Sequence, residues 1–182
     1  ARTYEDIGLF TCDESIGDDV SHLFNSLTGF DRDHDYKRLI VAPRYLRNKM
    51  IDLIKNEITF GSEGHMVIKI NGLADAEMIE LLYQASEAGV RIDLIVRGIC
   101  CMRPSSDHEK NVRIRSVLGR YLEHSRMYHF GHGGQNNEPV YYIGSADLMP
   151  RNLDKRVEVL IPVEHPKHRA WIEEVFSTLL AD

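Results

Sequence analysis

The sequence predicts an α/β domain with a central mixed, largely parallel sheet flanked by helices. Two observations carry this. Short apolar runs alternate with amphipathic stretches through the first hundred residues or so. Residues 66–97 read as strand, helix, strand, the unit whose crossover leaves its two strands parallel. The second half has a different character: four strand-like segments follow one another with no long helix between them.

Taken in order, residues 7–11 read as a strand. Residues 16–27 read as a helix, with Ile16, Val20, Leu23, Phe24 and Leu27 at helical spacing, and Ser15 with Asp18 resembling a capping box. Residues 39–42 form a strand stopped by Pro43. Leu46, Met50, Ile54 and Ile58 recur every four residues, which marks a helix over 44–58. Met66, Ile68 and Ile70 alternate along the strand 66–70. A helix over 76–88 has Asp75 as its N-cap and Gly89 as its stop, and a strand at 91–97 follows. Further strands fall at 112–117, 126–130, 139–143 and 157–163, with a Gly- and Asn-rich hairpin tip at 131–137. Pro166 opens a last helix, with Ala170, Val175 and Leu179 as inward candidates. With no repeat, low-complexity segment or linker, residues 1–182 read as a single domain, and the abrupt start at Ala1 reads as a piece of a longer chain.

Composition narrows the function. Hydrophobic residues at 43% and charged residues at 27% describe an ordinary globular core and surface. No apolar run approaches the roughly 18 residues of a membrane-spanning helix. Three cysteines without a CxxC spacing make neither a disulfide framework nor a thiolate zinc site, and fit free thiols in a reducing cytosol. A net charge of −6 argues against broad nucleic-acid binding but leaves room for a local basic pocket.

The candidate chemistry lies at strand ends, where open α/β sheets bind ligands. Arg97 closes the strand 91–97, so its guanidinium emerges at the sheet edge, either as a phosphate clamp or as a rim residue paired with an acid. His124 and Arg126 are two apart and share a strand face, so an imidazole stands beside a guanidinium. Against this, the chain has nine histidines, and a surface histidine is the plainer alternative. Downstream, Gly144 to Val159 carries small residues and then Arg151 and Arg156, which make either an anion loop or a solvated charged turn. Lys69 and Asn71 share one face of the 66–70 strand and its exit, and either reach a phosphate or decorate the strand end. Tyr4 either stacks on a base or packs in the core. No GxxxxGK[ST] run and no protein-kinase signature is present.

These segments, in this order, resemble polyphosphate kinase. Tyr4-Glu5-Asp6-Ile7-Gly8-Leu9-Phe10-Thr11 is similar to the family's YTD-x-x-LLT stretch, with Glu5 in place of Thr. Lys69-Ile70-Asn71-Gly72-Leu73 resembles KxNxL, Leu94 to Cys100 resembles L-[IL]-[IV]-R-G-x-C, and Arg120 to Arg126 resembles RYLEHxR. Ser145 to Glu158 resembles SADxMxRNxDxRxEV. The resemblance implies the second of two phospholipase-D-like domains of a cytoplasmic enzyme, which in full-length form can also associate peripherally with membranes. That enzyme reversibly moves the terminal phosphate of ATP onto polyphosphate, with magnesium, through a phosphohistidine in the preceding domain. It implies that Tyr4, Arg97 and His124 contact ATP, that Arg156 lies near the phosphates, and that His124 acts as the catalytic acid or transition-state donor. It places the magnesium ligands mainly outside this chain. The partners it implies are ATP, ADP, polyphosphate, the other domains and, in the full enzyme, a second subunit; it implies no nucleic acid and no membrane span.

The phospholipase D pattern is HxK, four residues, D, six residues, GSxN. This chain departs from it: Arg126 stands for Lys, Gly131 for Asp and Asp147 for Asn, with a longer interval between the two parts. Two alternatives stay open: a phosphodiesterase or nuclease that works as a dimer, and a nucleotide- or polyphosphate-binding module without catalysis.

Overall fold

The computed structural model describes residues 3–29, 35–103 and 111–181. In chain order the elements are β1 (Tyr4–Glu5), α1 (Glu14–Leu27), β2 (Ile40–Val41), α2 (Leu46–Phe60), β3 (His65–Ile70), α3 (Ala76–Glu87), β4 (Arg91–Val96) and β5 (Val112–Arg115). Then come β6 (Leu122–Glu123), β7 (Arg126–Phe130), β8 (Val140–Gly144), α4 (Pro150–Asp154), β9 (Val159–Pro162) and α5 (Pro166–Leu180). Seven strands form one sheet in the order β2-β9-β8-β7-β3-β4-β5, and β1 pairs with β6 in a separate two-stranded ribbon.

The expectation of a largely parallel sheet is overturned. Only β3–β4 and β4–β5 run parallel, while β2–β9, β9–β8, β8–β7 and β7–β3 are antiparallel. The reason was already visible in the second half of the sequence. Strands joined by short connections must fold back on themselves, and a parallel return needs a crossover of a dozen residues or more. Among the described residues, only the α3 crossover supplies a helix between parallel neighbours.

Other expectations need smaller corrections. Residues 7–11 form no strand; the short strand of that arm is Tyr4–Glu5. The cap of α1 is Asp13, whose Oδ1 accepts from Ile16 N at 2.9 Å, and not Ser15. Asp75 does cap α3, and Gly89 follows that helix with φ +95°, a value that suits only glycine without strain. On α5 the buried positions are Ile172 and Phe176; Val175 and Leu179 are half-buried and Ala170 is exposed.

The sheet is covered on both faces. On one, Leu46, Met50 and Ile54 of α2 and Met78 and Leu82 of α3 pack on Met66, Ile68 and Ile70 of β3 and on Leu94 of β4. On the other, Ile172 and Phe176 of α5, with Ile7 and Leu9 of the N-terminal arm, pack on Val67, Ile95, Met127 and Ile143. Over the β2–β9 edge α1 buries Ile16 and rests Leu23 against Leu39 and Val41, while Val20, Phe24 and Leu27 stay exposed. Each fully buried aliphatic side chain contributes about 1.5–3 kcal/mol, so the two-sided core dominates stability.

Pairing direction also determines which ends meet. The C-terminal ends of β3, β4 and β8 and the N-terminal end of β7 fall on one edge of the sheet. Beyond it, Leu73 N donates to Ile99 O at 2.8 Å and Leu148 N donates to Gly72 O at 3.1 Å, so three exit loops are zipped together.

Candidate active site

The site begins where β3 and β4 end. Their parallel register pairs Ile70 with Val96, so Asn71 and Arg97 leave the sheet side by side. Arg97 Nε donates to Asn71 Oδ1 at 2.6 Å. Gly98 permits this approach: a Cβ there would stand 2.7 Å from Asn71 O, and Gly98 N instead donates to that oxygen at 3.0 Å. With Nε occupied, the terminal nitrogens of Arg97 are the part left to meet an anion, the fork geometry that suits phosphate oxygens.

Asn71 also reaches the other half of the site. Its Nδ2 donates to His124 O at 3.1 Å, and its backbone N donates to Asp147 Oδ1 at 2.7 Å. Asp147 is buried and accepts from Arg126 Nε and Nη2, both at 3.2 Å. Arg126 Nη1 returns to His124, at 2.7 Å from its carbonyl and 3.0 Å from Nε2. His124 and Arg126 do turn to the same side, as their spacing predicted, although the strand breaks between them at β6 and β7.

His124 is held from its other side by the N-terminal arm. The β1–β6 ribbon aligns Tyr4 with Leu122, and His124 N donates to Glu5 O at 3.0 Å. Tyr4 and Asp6, two apart in an extended arm, then flank the imidazole. The Tyr4 ring lies edge-on to it, with centroids 5.2 Å apart, and Asp6 Oδ2 is 2.7 Å from Nδ1. Partial burial works against ionisation of Asp6, but the bonds from His124 and from Ile7 N, with the nearby Arg126 charge, hold its carboxyl below the usual range. An ionised Asp6 makes Nδ1 the protonated nitrogen and leaves Nε2 as the acceptor of the bond from Arg126 Nη1.

Lys69 does not reach the site. It is buried, and its ammonium donates to Ser125 Oγ at 2.7 Å and Ser125 O at 3.0 Å, with Glu123 Oε2 at 3.3 Å. Burial pushes this ammonium down, against the pull of Glu123 and Glu5, while burial pushes the Glu5 carboxyl up. Lys69 thus pins the floor beneath His124.

Tyr4, Arg97 and His124 are therefore brought together. Arg156 is not linked to them: its side chain is exposed in the turn between α4 and β9, with no hydrogen bond or ion pair to the network among the described residues. Sequence reasoning missed Asp6 and Asp147 as organisers. For Asp6 the available signal was its two-residue offset from Tyr4, and for Asp147 its place in the GSxN-like segment.

The mixed sheet and its strand order define a fold class. The fold is similar to NucT from Helicobacter pylori (TM-score 0.53, 14% identity, 78% of this chain and 93% of that one). It is equally similar to Nuc from Salmonella typhimurium, a phospholipase D family member (TM-score 0.53, 10% identity, 78% of this chain and 91% of that one). Within that phospholipase-D-like fold the chain belongs to the polyphosphate kinase C-terminal domain 2 family, whose signature matches residues 39–182. It is 48% identical to polyphosphate kinase of Synechocystis sp. over 100% of its length and 25% of that protein. It is 46% identical to the Streptomyces coelicolor polyphosphate kinase, covering 100% of this chain and 24% of that protein. The crystal structure of polyphosphate kinase from Porphyromonas gingivalis superposes with a TM-score of 0.87 and 41% identity, over 94% of this chain and 26% of that one. The chain spans about a quarter of the length of the relatives it matches.

Proposed function

We propose that residues 1–182 form one domain of a longer, cytoplasmic polyphosphate kinase that reversibly transfers the terminal phosphate of ATP to polyphosphate. The observation that carries this reading is the Asn71 bridge. It holds Arg97, with its terminal nitrogens open, next to a His124 that is itself oriented by Asp6.

Phosphoryl transfer asks a protein mainly for positioning and charge neutralisation. In this reading Tyr4 supports the adenine, and Arg97 binds the ATP phosphates. Arg156 reaches them from its turn, an exposed arginine free to swing in. His124 keeps its Nδ1 proton on Asp6, takes up a second proton from solvent at Nε2, and gives that proton to the departing ADP oxygen while the phosphoryl group passes to a histidine of the preceding domain. A second transfer from that histidine extends the polyphosphate chain. An entering phosphate would also draw the Arg126 donor away from Nε2.

Magnesium would supply neutralising charge to the phosphates when bound. The residues here do not fit it as ligands. Among the described residues no group of three His, Cys, Asp or Glu is arranged for a metal, and Asp6 and Asp147 are already engaged with His124, Arg126 and Asn71. No step is therefore routed through it.

The test is kinetic, in the full-length enzyme. His124→Ala is expected to lower polyphosphate synthesis by about 10²–10⁴-fold, the range of a lost acid. Arg97→Ala is expected to raise the KM for ATP. Near-normal turnover of the first variant would remove His124 from the mechanism, and an unchanged KM in the second would remove Arg97.

A further inference from the structure

The loop between β5 and β6 lines a cavity that adjoins the site above at Arg97. Arg97 and residues 117–122 surround about 200 Å³. In that loop Arg120 lies over the Tyr121 ring, its guanidinium carbon 5.7 Å from the centroid. Stacking holds the plane of the guanidinium and leaves its N–H edges available. Among the described residues no carboxylate pairs with Arg120 or with the terminal nitrogens of Arg97. Tyr121 is half exposed and Leu118 is more so, unusual exposure for large apolar side chains at a sheet edge.

Position separates the ligands. Tyr4 and His124 do not line this cleft, so it lies to one side of the place proposed for the adenine. Its volume of about 200 Å³ accommodates phosphate units. Two guanidinium groups lining one cavity suit a multiply charged linear anion, whose successive phosphates can engage both.

We infer that Arg120, steadied by Tyr121, forms with Arg97 a subsite for the condensed phosphate chain, distinct from the place of the nucleoside. The inference rests on the kinase reading and deepens it. It makes Arg120 a determinant for polyphosphate and Arg97 the arginine shared between chain and nucleotide.

The experiment is steady-state kinetics on the full-length enzyme making ATP from polyphosphate and ADP. Arg120→Ala is expected to raise the KM for polyphosphate about tenfold, the size of one lost charge-assisted contact, and to leave the KM for ADP where it was. Arg120→Lys, which keeps the charge without the fork, is expected to fall between. Arg120 is exposed, so folding is not at stake. An unchanged KM for polyphosphate would overturn the inference, and an equal rise in both constants would assign the cavity to the nucleotide instead. A wild-type enzyme that turns over neither substrate would overturn the kinase reading itself.

Discussion

Asp6 Oδ2 and His124 Nδ1 lie 2.7 Å apart although 118 positions separate the residues in the chain. The pair orients the imidazole by one ring nitrogen, while Arg126 Nη1 meets the other at 3.0 Å. Asp6→Asn keeps the shape and removes the charge. In the full-length enzyme we expect kcat to fall by about 10–100-fold, within the range of acid–base contributions, with the KM for ATP little changed. A fall in kcat/KM caused by KM alone would mean that Asp6 only shapes the binding site. The same carboxyl is held below its usual range when folded, so its contribution to stability is present above that range and is lost as pH falls through it.

Asn71 serves two partners with two different atoms, which allows them to be separated. Asn71→Asp keeps an oxygen for Arg97 Nε and loses the donor to His124 O. We expect it to spare the KM for ATP and to lower kcat. Asn71→Ala loses both and should impair both. Identical kinetics of the two variants would show that the bridge does not act through separate contacts.

Arg47 ties three elements together behind the site. Its guanidinium donates to Asp75 at 2.7 and 3.0 Å, to Asp154 at 2.6 and 2.7 Å and to Glu77 at 2.7 Å, which joins α2 to the start of α3 and the end of α4. The bonds to Asp154 and Asp75 push the Arg47 guanidinium far up, against partial burial. The Asp154 and Glu77 pairs are open to solvent and contribute little, whereas the Asp75 side chain is only 5% exposed. Arg47→Ala should therefore destabilise the chain by about 3 kcal/mol, mostly by leaving the buried Asp75 carboxylate without its counter-ion, with only the cap bond from Met78 N. Urea unfolding measures this, and a loss below about 0.5 kcal/mol, the usual scale of a surface change, would contradict it.

His129 sits at the opposite end of the sheet, with its Nδ1 sealed from solvent and unbonded. Burial, helped by His65, Arg91 and His132 nearby, lowers its pKa from 6.5 to about 4. The unfolded chain then binds the proton more readily than the folded one. Stability from this group is complete above about pH 6.5 and drains away as pH falls toward 4, by about 3 kcal/mol in all. His129→Phe should remove this component. Unfolding midpoints compared at neutral pH and near pH 5 measure it, and an equal acid loss in both proteins would assign the effect to other groups.

Much of the architecture was legible because it follows from local patterning. The four-residue recurrence of Leu46, Met50 and Ile54 and the alternation of Met66, Ile68 and Ile70 reappear as the packed faces of α2 and β3. The arm at 7–11 reads as a strand but forms none, because Ile7 and Leu9 pack against the sheet face beneath α5 without entering a ladder and Phe10 points to solvent. Apolar side chains report burial, and burial is not hydrogen bonding.

The sequence by itself determined most of the element types, the clustering of Arg97 and Asn71 at strand ends, and the motifs that align Tyr4, Arg97 and His124 with a family. Only the tertiary structure decided the mixed sheet, the pairing of Asp6 with His124, the bridging role of Asn71, the burial of Lys69 away from the site and the isolation of Arg156. The physical reason is the range of the interactions. Periodicity and capping act over a few residues, whereas a hydrogen bond between distant segments depends on which strand ends the pairing register brings to one edge.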